Sequence, residues 1–257
     1  LKRPLILDIS FYQDNPDTKS IFVNFDKMKL NADGVIFRIG QAEWEDKKLK
    51  EYLDASSNVG ILTGEYWYSD NRYSPEKQAD LCSSIVDKYS IKFNLPLFAD
   101  FEDRRNSYFS GWNNWYRFME RLKYNLPDVK IGVYTGYYYW LEFCPKEKSQ
   151  RDYFGKFPLW IAQYPYDRHV DSSFYSNPKI PENTWKDWVF WQVSDRGDGH
   201  HFGVESSRVD VNYFNGTFED FERSFGKVEE TPEETKINYL NEKYFIINYK
   251  NKKVLLK

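Results

Sequence analysis

Leu95-Pro96-Leu97-Phe98-Ala99-Asp100-Phe101-Glu102 runs apolar for five residues and then ends on two carboxylates one residue apart. A short, nearly continuous apolar run of this kind suits a strand covered on both faces, as in a parallel sheet with helices outside it. Six further segments read the same way: Leu5 to Ser10, Gly34 to Gly40, Gly60 to Tyr68, Val129 to Thr135, Pro158 to Tyr164 and Trp188 to Ser194. Helical patterns lie between several of them. Lys47 to Asn58 carries Leu49, Tyr52, Leu53 and Ala55. Ser74-Pro75 opens a stretch through Ala79, Leu81, Cys82, Ile85 and Val86, with the proline at a first helical position, and Trp112 to Leu122 ends before Pro127. Seven strands alternating with helices are most economically closed as an α/β barrel.

Composition agrees with one large domain and a short appendage. The 257 residues are 41% hydrophobic and 29% charged, enough apolar material for a full core and too much for a disordered chain. A formal charge of -3 supplies no positive field for a phosphate backbone, so nucleic acid is not an expected partner. No run approaches the roughly 20 apolar residues of a bilayer span, and membrane insertion is not expected. After Phe225-Gly226 the character changes. Residues 1–226 are expected to form the barrel and 227–236, with Glu229-Glu230-Thr231-Pro232-Glu233-Glu234-Thr235, an acidic linker. Residues 237–257 read as a β-hairpin with its turn near Asn248 to Asn251, either docked on the barrel or opening a truncated accessory module.

In a βα barrel, chemistry gathers at the carboxyl ends of the strands. Carboxylates stand there: Asp8 on the first strand, Asp100 and Glu102 on the fourth, and Asp210 in the late strand-like Val209-Asp210-Val211-Asn212. Alternation aims Asp100 and Glu102 the same way, with Cα atoms roughly 6.6 Å apart. Two carboxyls that close are driven apart in pKa, one kept as an acid and one ionised, the arrangement used in glycosidic cleavage. Nine Trp, 21 Tyr and 20 Phe provide either an aromatic core or flat walls for sugar rings.

Other chemistries lack their markers. His169, His200 and His201 show no metal-ligand spacing, and Cys82 and Cys144 suit neither a zinc site nor a disulfide framework. Gly197-Asp198-Gly199 lacks the context of a dinucleotide fingerprint, and neither a phosphate loop nor a Gly-x-Ser-x-Gly elbow occurs. No metal and no cofactor are expected.

The ordered landmarks also carry a resemblance. Asp8-Ile9-Ser10-Phe11-Tyr12-Gln13, Phe37-Arg38, Asp100-Phe101-Glu102, Ile131 to Gly136, Leu159 to Tyr164, Trp191-Gln192 and Val209 to Phe214 together resemble glycoside hydrolase family 25, the muramidases of bacterial wall turnover and phage endolysins. That resemblance implies an irregular, TIM-barrel-like (β/α) barrel with fewer than eight helices. It also implies cleavage of the β-1,4 bond from N-acetylmuramic acid to N-acetylglucosamine in peptidoglycan, the expected partner. Glu102 becomes the general acid, and Asp100 the ionised group that stabilises an oxocarbenium or oxazolinium centre. Asp8 and Asp210 line the same pocket and keep Glu102 protonated. Arg38, Tyr66, Tyr134, Trp160 and Gln192, near other strand ends, are candidates for the cleft wall. Where many members read Tyr-His-Phe on strand three, this chain has Tyr66-Trp67-Tyr68, a change expected to bear on substrate preference. The competing readings are a non-catalytic wall-binding module and a chitinase-like N-acetylglucosaminidase. Either enzyme is expected to act outside the cell or at its wall. Leu1-Lys2-Arg3-Pro4 begins no signal-peptide pattern, which suits release by phage-type lysis.

Overall fold

A computed structural model describes residues 2–14, 22–105, 111–165 and 177–226, together with the backbone of three short strands at 238–239, 245–249 and 252–256. The expected linker and His169 lie outside the described residues. The barrel region contains β1 (Leu5–Ile9), β2 (Gly34–Gln41), β3 (Trp44–Glu45), β4 (Leu62–Tyr68), β5 (Leu97–Asp100), β6 (Ile131–Gly136), β7 (Leu159–Ala162), β8 (Phe190–Asp198) and β9 (Arg208–Phe214). Hydrogen bonding runs in the order β1, β2, β4, β5, β6, β7, β8, β9 and returns to β1, which closes an eight-stranded barrel; β3 only folds back on β2.

Seven barrel strands are mutually parallel, as the apolar runs suggest, and β9 is antiparallel to both β8 and β1. The reason is connection length. Only the short, Gly-, His- and Ser-containing loop 199–207 joins β8 to β9, too little chain for a helical crossover back to the start of a parallel strand. Seven helices surround the barrel among the described residues: α1 (Phe25–Asn31), α2 (Leu49–Val59), α3 (Pro75–Tyr89), α4 (Trp112–Asn125), α5 (Tyr137–Phe143), α6 (Lys148–Phe154) and α7 (Phe218–Phe225). The three helices legible in the sequence are α2, α3 and α4. Ser74 caps α3 by accepting from the Lys77 N–H, and Pro75 occupies its first turn.

Strand alternation sorts the core into two layers. Inside the barrel lie Ile6, Ile36, Phe98, Tyr134, Trp160, Phe190 and Phe214. Phe98 stacks edge-on to Trp160 at 5.2 Å and lies against Gly132, where a Cβ would collide with its ring. Outside, Leu97, Ala99 and Phe101 of the β5 segment face the helices. Trp115, Phe118, Met119 and Leu122 give α4 an apolar stripe, and Trp115 stacks on Phe101 at 5.3 Å. Because β9 runs downward, α7 lands under the barrel, and Phe221 and Phe225 close its base against Phe214 and Phe190. Most of the aromatic excess is therefore core: Trp67, Trp115, Trp140, Trp160 and Trp191 are all fully buried. With the base plugged by apolar rings, polar groups inside the barrel are left to the opposite mouth. At the other end of the chain Phe245–Tyr249 and Lys252–Leu256 pair antiparallel, and Asn238–Tyr239 adds a third short strand.

Candidate active site

The open mouth gathers the four sequence-predicted carboxyls. Asp8 and Asp210 are direct cross-strand partners on β1 and β9, while Asp100 closes β5 and Glu102 follows two residues on. Phe101 points outward into the helix layer, so its neighbours on either side turn inward. Its N–H bonds the Tyr134 carbonyl, and its own carbonyl accepts from the Thr135 hydroxyl at 2.9 Å. Asp103 anchors the chain immediately after Glu102. Its Oδ2 accepts from the Asn71 N–H at 2.7 Å, and its carbonyl accepts from Asn71 Nδ2 at 2.7 Å and the Tyr139 hydroxyl at 2.8 Å. Glu102 is thus fixed on both sides, with its side chain facing solvent.

Behind the carboxyls lies a hydrogen-bonded floor. Asp8 Oδ2 accepts from Gln192 Nε2 at 3.0 Å and Asn212 Nδ2 at 2.8 Å. Trp160 Nε1 donates to Asn212 Oδ1 at 2.7 Å, which fixes the orientation of that amide. Gln192 Oε1 accepts from the hydroxyls of Tyr134 at 2.9 Å and Tyr164 at 2.8 Å, and the Tyr134 hydroxyl also lies 3.4 Å from Glu102 Oε2. Arg38 reaches in from β2, its Nε on Asp46 Oδ2 at 2.9 Å.

The expected wall residues are therefore placed deeper than a wall. Arg38, Tyr134, Trp160 and Gln192 are buried, and only Tyr66 is partly open. They form the floor and hold the carboxyls in place. Asn212 and Tyr164 belong to the same floor and went unpredicted. Asn212 stands two residues beyond Asp210 on β9, so alternation alone could have found it. Trp67 is a correction: it faces away from the mouth, lies fully buried, and donates Nε1 to Gln78 Oε1 of α3 at 3.3 Å. Of the two departures, Trp67 changes packing between β4 and α3, whereas Tyr68, half-buried and paired in register with Asp100, stands beside the carboxyls at the mouth. His200 and His201 sit in the β8–β9 loop, outside this cluster.

Crowding four carboxyls into one mouth raises them all. Asp100 is pushed well above the usual carboxylate range by burial first, then by the charges of Glu102 and Asp8. Asp210 is raised by burial and by Asp8. Asp8 rises only to about 6, because the two amide donors and Asp210 oppose the cost of its burial. The hydrogen bond between Asp8 and Asp210 lowers Asp8 and raises Asp210, and the amide donors on Asp8 act in the same sense, so a proton held between the two is favoured on Asp210. Glu102 is pushed up to about 7 by the surrounding protein mass and then by Asp8, against a hydrogen bond from Tyr134. Water reaches Glu102 in the open mouth and screens part of that effect; a ligand seated there would displace the water and favour the protonated acid.

Asp100 Oδ1 is buried and finds no donor among the described residues, and Arg38 Nη2 finds no acceptor. Buried polar atoms without partners are rare away from functional sites.

The sequence profile of Glycosyl hydrolases family 25 matches residues 7–201. The chain belongs to that family. Uncharacterized protein YegX of Escherichia coli (strain K12) is 27% identical over 234 residues, which cover 88% of this chain and 75% of YegX. The catalytic domain of endolysin ply40 from bacteriophage P40 of Listeria monocytogenes has a similar fold, with a TM-score of 0.65 at 22% identity, covering 88% of this chain and 98% of that one. A bacterial lysozyme from Streptomyces coelicolor gives a TM-score of 0.66 at 21% identity, covering 87% and 97%. The match to family 25 spans β1 through β8 and so includes Asp8, Asp100 and Glu102; β9, which supplies Asp210 and Asn212, lies beyond it.

Proposed function

We propose that this family 25 glycoside hydrolase is a muramidase that cleaves the β-1,4 bond between N-acetylmuramic acid and N-acetylglucosamine in peptidoglycan, acting at the bacterial wall. The observation that carries the reading is Glu102, a carboxyl facing the open mouth and held up to about 7 beside three other acids. Such a group keeps a proton at neutral pH and has room to meet a glycosidic oxygen. The names of the structurally similar proteins, an endolysin and a lysozyme, point to the same substrate.

In this reading Glu102 transfers its proton to the bridging oxygen as the bond from the anomeric carbon breaks, and the departing sugar leaves with a new hydroxyl. The electron deficit at the anomeric carbon is met by the substrate's own N-acetyl oxygen, giving an oxazolinium, or is stabilised as an oxocarbenium. Water then attacks that carbon and returns its proton to Glu102. Asp100 serves the cationic stage. Burial and the charges of Glu102 and Asp8 favour its neutral form in the free site, but an acetamido N–H of the substrate donating to this carboxyl would favour the ionised form as positive charge develops. The negative charge of Asp8, hydrogen-bonded to Asp210, adds to burial in keeping Glu102 protonated.

The test is digestion of purified peptidoglycan by the wild type and by Glu102→Gln, followed by reduction and mass-spectrometric identification of the new reducing ends. Muramic acid ends from the wild type, with release slowed about 10²–10⁴-fold in the variant, are the expected outcome. Glucosamine ends would change the bond assigned, and a variant at the wild-type rate would remove Glu102 from the role of acid.

A further inference from the structure

Beside the carboxylate cluster stands an exposed aromatic surface with no part in the scheme above. Tyr12 is 67% exposed, although it sits in the tight segment directly after β1. The segment is rigid. Ser10 and Gln13 form a reciprocal cap, the Phe11 N–H bonds Asp46 Oδ2 at 3.3 Å, and the Tyr52 hydroxyl bonds the Ser10 carbonyl at 3.1 Å. The rings also pack against one another at tilted angles. Tyr12 lies 4.2 Å from Phe11, which lies 5.9 Å from Trp44. The Arg38 guanidinium carbon stands 4.9 Å from the Phe11 and Trp44 rings and 5.3 Å from Tyr12.

Arg38 joins this surface to the carboxyls, since the same side chain is salt-bridged to Asp46 and its charge stabilises the Asp100 anion. Other strongly exposed tyrosines lack that link: Tyr124, for example, lies near the end of α4 with Arg121 over its ring. An apolar ring left in water and held still by its neighbours presents a face whose ordering cost has already been met in folding, so a flat apolar partner gains most of the contact energy on binding. A pyranose ring offers such a partner in the C–H groups of one face. We propose that Tyr12, backed by Phe11 and Trp44, is a stacking platform for a sugar of the bound glycan strand that lies beyond the two rings at the scissile bond. This inference rests on the reading of the chain as a glycan-cleaving enzyme, and it makes the length of the strand a determinant of affinity.

The experiment compares wild type, Tyr12→Ala and Tyr12→Phe on peptidoglycan glycan fragments of graded length. Tyr12→Ala is expected to raise KM about tenfold on the longest fragments, equivalent to about 1.4 kcal/mol of lost stacking, and to match the wild type on the shortest fragments that are cleaved. Tyr12→Phe keeps the face and is expected to retain the wild-type KM at every length. An unchanged KM for Tyr12→Ala on long strands, or an equal loss at all lengths, overturns the platform. If the wild type cleaves none of the fragments, the muramidase reading falls separately. Calorimetric binding of the intact long strands then judges the platform: an affinity about tenfold weaker for Tyr12→Ala supports it, and equal affinities overturn it.

Discussion

Replacing Asp8 by Asn is expected to stabilise the fold at neutral and alkaline pH while it damages the site. Asp8 Oδ2 accepts from Gln192 and Asn212, and its carboxyl shares a proton with Asp210. An asparagine can place its carbonyl where Oδ2 stands and direct its amide N–H at Asp210, so every hydrogen bond has a successor and the buried charge disappears. Asp8 is buried, and burial raises it from the ordinary 3.8 to about 6. A carboxyl whose folded pKa is raised binds its proton more tightly in the native state, so its contribution is complete below about pH 4 and is lost as pH rises through about 6. A shift of that size corresponds to about 3 kcal/mol, and sharing the proton with Asp210 reduces what Asp8 alone contributes to about 1–3 kcal/mol. At roughly 2–4 °C per kcal/mol for a domain of this size, Asp8→Asn should melt about 2–12 °C above the wild type near pH 8. The gap should narrow toward zero near pH 4, where Asp8 in the wild type is also neutral. Thermal denaturation followed by near-ultraviolet circular dichroism across that range is the assay. A variant less stable than the wild type near pH 8, or a gap independent of pH, would refute the account of Asp8 as a charge held at a cost.

Two further expectations concern the acid and one position that departs from the family pattern. Because Glu102 is pushed up to about 7 and must carry its proton to act, lytic kcat/KM at constant ionic strength should fall as pH rises through about 7; a rate still climbing at about pH 9 would contradict the assignment. Trp67→His, which restores the commoner family residue, empties space between β4 and α3 and is expected to cost about 2–3 kcal/mol of stability with no change in KM or in product ratios. A shift in product ratios at unchanged stability would return that position to the substrate surface.

What could be read from the sequence was what local periodicity carries. The Leu95 to Glu102 run contains both facts needed: apolar residues on both faces make a covered strand, and alternation sets Phe98, Asp100 and Glu102 on one side with Phe101 on the other. Helices long enough to show a stripe, α2 to α4, were legible for the same reason. Seven-residue α1, α5 and α6 complete barely two turns and leave no period to detect. Nor did periodicity give depth. Tyr134, Trp160 and Gln192 are legible as residues near strand ends, but whether such a residue meets solvent or supports one that does depends on how far up the barrel it stands, which only the register between strands fixes. The antiparallel return of β9 required weighing the length of one loop against the reach of a crossover.

Register also accounts for the electrostatics of the mouth. On sequence grounds alone, four acids suggest four mutually repelling charges. The pairing of β1 with β9 sets Asp8 directly opposite Asp210, so those two behave as one proton-sharing unit and not as two independent anions. The side that holds the proton is decided by Gln192 and Asn212, whose amide N–H groups both point at Asp8 and favour its ionised form. Those amides are themselves oriented, Asn212 by the Trp160 indole and Gln192 by the hydroxyls of Tyr134 and Tyr164. Glu102 therefore faces about one negative charge from that side of the barrel, which adds to the larger effect of the surrounding protein mass in raising its carboxyl. The buried aromatic floor, which touches no substrate in this scheme, thus tunes the acidity of the group that does, through the charge it leaves on Asp8 and the hydrogen bond from Tyr134.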